Sequence, residues 1–329
     1  MRSRIRQSFQ LQPLEVRVSG ELQRLLLLLQ LMVGAKQRKK QTAVDAARLR
    51  TLRNDLKTLS SEFYSLIPHN FGCSLPPVIA SMEGVKTKIN LLEVLADIEI
   101  SLQLMAEEDG STIHPLDAQY WMLSTKMKPL DPNNEEFERI ARYLESTEAS
   151  SQGFKLKIHS VLKIARAPED TMQQLFHAVD NHKLLWLGSR LSNVVSILSQ
   201  GLRIAPPEVP KNGYLFSKGI YFADSVSKSA AYCYPLPHHS KGVLLLAEVA
   251  LGKCYEALHT EYLDYVMIQK RGCASTHGLG RMAPPEETYE TMEDGVVVPI
   301  GKIAPRNIPQ GSGLLYNKFI VYRTEQVKL

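Results

Sequence analysis

Two short apolar runs, each broken by glycine and followed by a helical pattern, constrain this chain more than any other feature. In the first, Leu184, Leu185, Trp186 and Leu187 meet Gly188, and the residues beyond place Val194, Ile197 and Leu198 on one helical face before Gly201. Ser192 is the expected N-cap of that helix and Gly201 its expected stop. In the second, Lys218 and Gly219 open onto Ile220, Tyr221 and Phe222, a β-branched and aromatic strand, and VSKSAAYC beyond Asp224 reads as a short helix. Two strand-turn-helix units can face each other across a cleft. Glycine at such a turn lets a ligand reach the backbone, so Gly188 is placed to offer its N–H and C=O to a flat, amide-bearing ring on which Tyr221 or Tyr232 stacks.

A chain of 329 residues has room for two domains. Residues 1–20 carry no periodicity and read as a disordered N-terminus. From 21 to 110 the pattern is helical: an apolar segment from Glu21 to Val33, a helix from Leu52 to Leu66 ending before Pro68, then a buried stripe. That stripe is Val85, Ile89, Leu92, Leu95, Ile98 and Leu102, spaced at three or four residues. The polar break from Glu107 to Thr112 marks the expected boundary.

From 111 to 329 short strands and turns take over. Ile158 to Ile164 alternates, Val243 to Leu251 is apolar enough for a strand covered on both faces, and Gly295 to Gly301 reads as a strand or an extended edge segment. His259 to Met292 lacks periodicity and is expected to be a loop. The run Leu314 to Tyr322 alternates as one strand, putting Leu314, Tyr316, Lys318, Ile320 and Tyr322 on a single face. The expected fold class is α+β, an all-α domain followed by a sheet domain.

Composition narrows function only by exclusion. Net charge is +5, and Cys73, Cys233, Cys254 and Cys273 are too dispersed for a disulfide scaffold or a zinc site, which makes a reducing compartment the default. The leucines at 25–29 are too few to span a bilayer and read as a buried helix rather than a targeting segment. Lys36 to Lys40, with Arg48, Arg50 and Arg53, fits a nuclear-import signal, a phosphate-binding face or, most simply, a solvated helix face. His238 and His239 beside Cys233 point in different directions with no fourth ligand, so a surface loop is expected there and no metal. Glu248 is either a buried acid or a solvent-facing carboxylate, and Gly278-Leu279-Gly280 is a turn rather than a phosphate loop.

The segments Leu184 to Cys233 and GLLYNKFIVY (Gly313 to Tyr322) resemble the catalytic region of the poly(ADP-ribose) polymerases, within the wider diphtheria-toxin-like ADP-ribosyltransferases. EFYSLIPHNFG (62–72) and the stripe beyond it resemble the regulatory helical domain of the same family, with no match seen upstream of Leu52. The resemblance implies a helical regulatory domain at 21–110, a split antiparallel-sheet transferase domain at 111–329, and one further strand after Tyr322, which this chain is expected to lack.

The resemblance also implies NAD⁺ as substrate, transfer of ADP-ribose to acceptor proteins, a nuclear (or cytoplasmic) location in the DNA-damage response, and nucleic-acid contact through other modules or the basic helix at 36–53, without membrane association. Its nicotinamide pocket maps onto Gly188, Tyr221, Ser229 and Tyr232, and its NAD⁺-binding positions also include Ser189, Asn193 and Arg203. Of three catalytic positions only Tyr221 keeps the family residue: Leu187 stands for a ribose-binding histidine and Lys318 for a glutamate. An ammonium opposes the positive charge that grows on the ribose as nicotinamide leaves, so impaired transfer is expected. The rival expectation is a catalytically inactive member acting as an NAD⁺- or ADP-ribose-binding or regulatory scaffold.

Overall fold

In a computed structural model the chain is described at residues 24–25, 27–29, 43–67, 76–85, 87–89, 91–92, 94–95, 98, 114–149, 153–166, 173–204, 216, 218–233, 240–261, 263–309 and 311–329. The expected disorder at 1–20, the 107–112 boundary, Lys36 to Lys40, Cys73, Leu102 and the histidines at 238–239 lie outside these residues.

The described residues fall into two compact units, one up to residue 98 and one from residue 114 onward. The first is built on helix α1, Ala43–Leu66, which starts earlier than its expected beginning at Leu52. Leu56, Phe63, Tyr64 and Ile67 bury against Leu25, Leu29, Val85 and Leu92, with Ile89 and Leu95 packed beside them. Ser60 ties the bundle by donating to Leu56 O (2.6 Å) and accepting from Ile79 N (2.9 Å). The predicted stripe therefore holds from Val85 to Leu95 but not at Ile98, which is exposed. Arg48, Arg50 and Arg53 are exposed on α1, as on a solvated helix face.

The second unit opens with α2 (Pro115–Met122), β1 (Thr125–Pro129), α3 (Glu135–Thr147), β2 (Leu162–Arg166) and α4 (Gln173–His177). Helix α3 is started by Asn134, whose side chain accepts from Glu136 N, and by three glutamates in its first turn that suit the positive helix end. There follow β3 (His182–Gly188), α5 (Leu191–Gln200), β4 (Ile220–Phe222), α6 (Val226–Ala230), β5 (Leu244–Ala250), β6 (Cys254–Ala257) and α7 (Tyr265–Lys270). The remainder is strands: β7 (Ser275–Gly278), β8 (Gly280–Ala283), β9 (Glu290–Thr291), β10 (Val297–Val298), β11 (Ala304–Pro305), β12 (Leu314–Tyr316), β13 (Lys318–Val321) and β14 (Val327–Lys328).

Two sheets carry the site. One has the order β14-β5-β3-β10-β9 and the other β4-β13-β7-β6. Alternation along β3 and β5 sends Leu185, Leu187, Leu245, Ala247 and Val249 toward Ile220, Phe222, Phe319 and Val321 of the second sheet, so one apolar layer lies between them. Trp186, Leu244 and Leu246 point the other way, onto Tyr143 and Leu144 of α3, so β5 is covered on both faces as its composition suggests. Glu248 is neither isolated nor free: His182 Nδ1 lies 2.7 Å from it.

Four expectations are corrected. Helix α5 begins at Leu191 behind Arg190, without a side-chain cap, because the Ser192 hydroxyl donates sideways to Asn193 Oδ1. The supposed loop from His259 to Met292 contains α7, β7, β8 and β9. The run Leu314 to Tyr322 is two strands in two sheets, β12 beside β8 and β13 between β4 and β7, divided at Asn317. A last strand is present: Val327 and Lys328 pair with Val249 and Glu248.

Candidate functional site

The end of β3 is stitched to the segment joining β4 and α6. Trp186 N donates to Ala223 O (2.9 Å) and Ala223 N to Trp186 O (3.0 Å). The Ser229 hydroxyl, on α6, donates to the same Trp186 carbonyl at 2.9 Å. These bonds press α6 so closely on β3 that a Cβ at Gly188 would fall 1.8 Å from Ser229 O. Only glycine fits there, and both strand-turn-helix units thus meet at one point.

Gly188 and Ser229 meet there, and the other residues singled out in the sequence are placed as follows. Tyr221 lies opposite Ile320 in the sheet, its hydroxyl accepting from Phe216 N at 3.1 Å. Tyr232 is 45% exposed beyond α6, with the Lys228 ammonium 4.9 Å over its ring and 3.3 Å from its hydroxyl. Ser189 follows Gly188 and is half-buried, Asn193 is half-buried on α5, and Arg203 is exposed beyond the end of α5. Leu187 is 7% exposed and belongs to the layer between the sheets, beside Leu185, Ile197 and Leu245.

Lys318 begins β13 and is 9% exposed. Burial, and then the neighbouring Lys228 ammonium, bring its pKa down from 10.5 to about 8. What fixes this position is the preceding residue. Asn317, 1% exposed, donates through Nδ2 to Asp224 Oδ2 (2.6 Å) and accepts through Oδ1 from Gly280 N (2.8 Å). A Cβ at Gly280 would lie 2.2 Å from the Tyr316 carbonyl carbon, so the chain passes there in backbone contact. Asn317 thereby ends β12, starts β13 and aims the next side chain.

Asp224, fully buried, has a pKa pushed up to about 6 by burial, which the Asn317 hydrogen bond only partly opposes. Sequence reasoning passed over Asn317, Asp224 and Lys228. Their signal is that each sits inside a recognised motif, Asn317 next to Lys318, Lys228 next to Ser229 and Asp224 at the end of the segment that carries Tyr221.

Removing the Asn317 amide should leave Asp224 Oδ2 and Gly280 N without their partner in a buried place. Asn317→Ala is expected to lower stability by about 2 to 3 kcal/mol, read as a fall in Tm by calorimetry. An unchanged Tm would mean that water or neighbours replace both bonds.

The arrangement offers a backbone edge at Gly188, the exposed Tyr232 ring and the Lys228 and Lys318 ammonium groups. Among the described residues no group of three histidine, cysteine or acidic side chains is placed to hold a metal. A hollow of about 380 Å³ elsewhere in this unit, lined by Tyr120, Trp121, Lys126 and Arg166, contains none of the motif residues.

The chain matches the poly(ADP-ribose) polymerase catalytic domain over residues 134–329 and the poly(ADP-ribose) polymerase regulatory domain over residues 22–120. The second match begins well before Leu52, so the helical part resembles its family further upstream than the motifs suggest. "Poly [ADP-ribose] polymerase 2" of Arabidopsis thaliana is 44% identical over 280 residues, 84% of this chain and 44% of its own length. "Poly [ADP-ribose] polymerase 2" of Homo sapiens is 44% identical over 272 residues, 82% of this chain and 46% of its own. "Poly [ADP-ribose] polymerase 1" of Gallus gallus is 42% identical over 274 residues, 82% of this chain and 26% of its own. The chain thus spans less than half the length of these relatives.

Proposed function

The chain belongs to the poly(ADP-ribose) polymerase family, and from that premise we propose that it takes NAD⁺ as substrate at the junction of β3 and α6 and transfers ADP-ribose only weakly. The observation that carries this is Lys318. Family transfer breaks the bond between nicotinamide and ribose, and the ribose becomes cationic as it breaks. A positioned carboxylate lowers that barrier, whereas a buried ammonium with a second ammonium beside it raises it. Leu187 adds to the deficit, since an alkyl side chain cannot hold a ribose hydroxyl.

The nicotinamide end of the site depends on neither position. It draws on the Gly188 backbone, the Ser229 hydroxyl and the Tyr221 and Tyr232 rings, with Ser189, Asn193 and Arg203 toward the rest of the dinucleotide. Benzamide-type nicotinamide mimics are therefore expected to raise the Tm at saturating concentration. A folded protein whose Tm ignores the mimic would remove the pocket assignment.

The rival reading, a scaffold that holds NAD⁺ or ADP-ribose without turnover, is favoured by the same two substitutions. Mass spectrometry of nicotinamide release from NAD⁺ decides between them, because only an enzyme releases it above the rate in buffer. A nuclear location and a link to DNA damage form part of the proposal on family grounds alone.

A further inference from the structure

Lys318 is placed unlike an ordinary surface lysine. Its cross-strand partner is Gly278, which has no side chain. The space a Cβ would take at Gly278 is filled by Leu314 Cδ1 at 2.8 Å and by Phe216 ring atoms at 3.0 Å. The Lys318 side chain therefore rises from an apolar floor, with most of the residue's surface removed from water. The described elements beside β13 give it no carboxylate: β4 contributes the neutral Tyr221, β7 contributes His277, stacked on Phe319, and α6 contributes the cation Lys228. A lysine desolvated beside another cation is the arrangement in which an amine becomes a nucleophile near neutral pH.

We propose that Lys318 is a nucleophilic amine that condenses with the aldehyde of a reducing sugar nucleotide, ADP-ribose being the class the cleft would admit, to form an imine. The proposal rests on the reading above, in which position 318 faces the ribose carbon that loses nicotinamide. In free ADP-ribose that same carbon carries the aldehyde in the open-chain form. The neutral amine nitrogen attacks it, the new C–N bond becomes C=N, and the carbonyl oxygen leaves as water with the two amine protons. No electrons are gained or lost, so neither an oxidant nor a reductant enters the step. Hydrolysis reverses it, which makes the amine a reversible trap for the aldose rather than a transfer catalyst. Burial, and then repulsion from Lys228, lower the pKa of Lys318, so that a larger fraction of it is neutral near pH 7 to 8 than of an exposed lysine; Lys228 does not itself bond to the sugar.

The test incubates the full chain with ADP-ribose and sodium cyanoborohydride, which reduces imines to stable secondary amines, and maps adducts by peptide mass spectrometry. Lys318 is expected to label at least about tenfold faster at pH 7 than the exposed Lys126 and Lys128, because a pKa lowered by two units or more frees ~10²-fold more amine. The labelling rate should level off just above pH 8, where the amine is already free. Lys228→Met should slow labelling at pH 7 while leaving the rate at pH 10 unchanged. Excess NAD⁺, which has no aldehyde, should protect Lys318 alone.

Labelling of Lys318 no faster than that of Lys126 and Lys128 overturns the proposal. If NAD⁺ or benzamide still raises the Tm in that experiment, the nicotinamide site stands and only the amine chemistry falls. Fast labelling that NAD⁺ does not protect overturns the placement of the aldose, and with it the reading on which the proposal rests. Should Lys228→Met fail to fold, the pH profile of the parent chain decides, since an ordinary lysine would keep accelerating toward pH 10.

Discussion

Replacing Lys318 by glutamate together with Leu187→His is expected to raise nicotinamide release from NAD⁺ by at least about 10²-fold, the scale of one positioned catalytic carboxylate. The site is already framed for the change. Asn317 holds the backbone on either side of it through Asp224 and Gly280, so a new side chain at 318 inherits a fixed starting direction. Lys228, which repels the present ammonium, would attract a carboxylate and help keep it ionised despite burial. NAD⁺ affinity should stay level or weaken slightly, because a carboxylate loses whatever attraction the ammonium offers the pyrophosphate. Lys318→Gln should fall between, removing the repulsion without supplying the anion. The histidine is the riskier half, since Leu187 lies in the layer between the sheets and an imidazole there must find a polar partner. Single-turnover assays on Lys318→Glu alone therefore accompany the double variant. If none of the three turns over NAD⁺ faster than the parent, residue 318 does not face the reacting ribose.

How much of this was legible in the sequence depends on whether a segment's burial is apolar. Strands β3 and β5 declare themselves because leucines and valines cover both faces, and Gly188 because a strand cannot turn so tightly against α6 with a Cβ present. Strand β7 does not. Its residues Ser275, Thr276, His277 and Gly278 are polar or small, and they are held by the Ser275 hydroxyl on Leu251 O (2.7 Å), by Thr276 against the Tyr322 hydroxyl (2.7 Å) and by pairing with β6 and β13. Such a strand is specified by tertiary partners, and no period of hydrophobicity reports it. The break at Asn317 is hidden for the same reason: the residues around it still alternate, while the interruption is made by hydrogen bonds to residues remote in sequence. At the site the strand-turn-helix pattern points to Gly188 and Tyr221 and the family resemblance adds Ser229, but the closeness of Lys228 to Lys318 exists only in the fold.

The other large effect is expected in the pH dependence of stability, where two buried groups oppose each other. Burial, with the charges of Lys183 and Arg306, brings His277 down from 6.5 to about 3, and its Nε2 is enclosed without a hydrogen-bond partner. Its contribution to stability is thus complete above pH 6.5 and is lost as pH falls toward 3, because the unfolded chain takes up the proton first. Asp224 has the opposite sign: raised from 3.8 to about 6, it contributes fully below pH 3.8 and loses that contribution as pH rises through 6. Between pH 6.5 and 4 the two changes nearly cancel, each being about 3 kcal/mol at ~1.4 kcal/mol per unit. Single substitutions should expose them. His277→Phe keeps a ring to stack on Phe319, which lies 4.3 Å away, and should give a Tm that rises as pH drops from 6.5 to 4 relative to the parent. Asp224→Asn keeps an acceptor for the Asn317 amide and should give a Tm that falls over the same range. Differences of several degrees are expected between the two variants at pH 4.5, with the exposed carboxylates common to both chains dropping out of the comparison. Parallel Tm profiles for parent and variants would mean that water reaches one or both groups in the folded state and that neither titrates as its burial dictates.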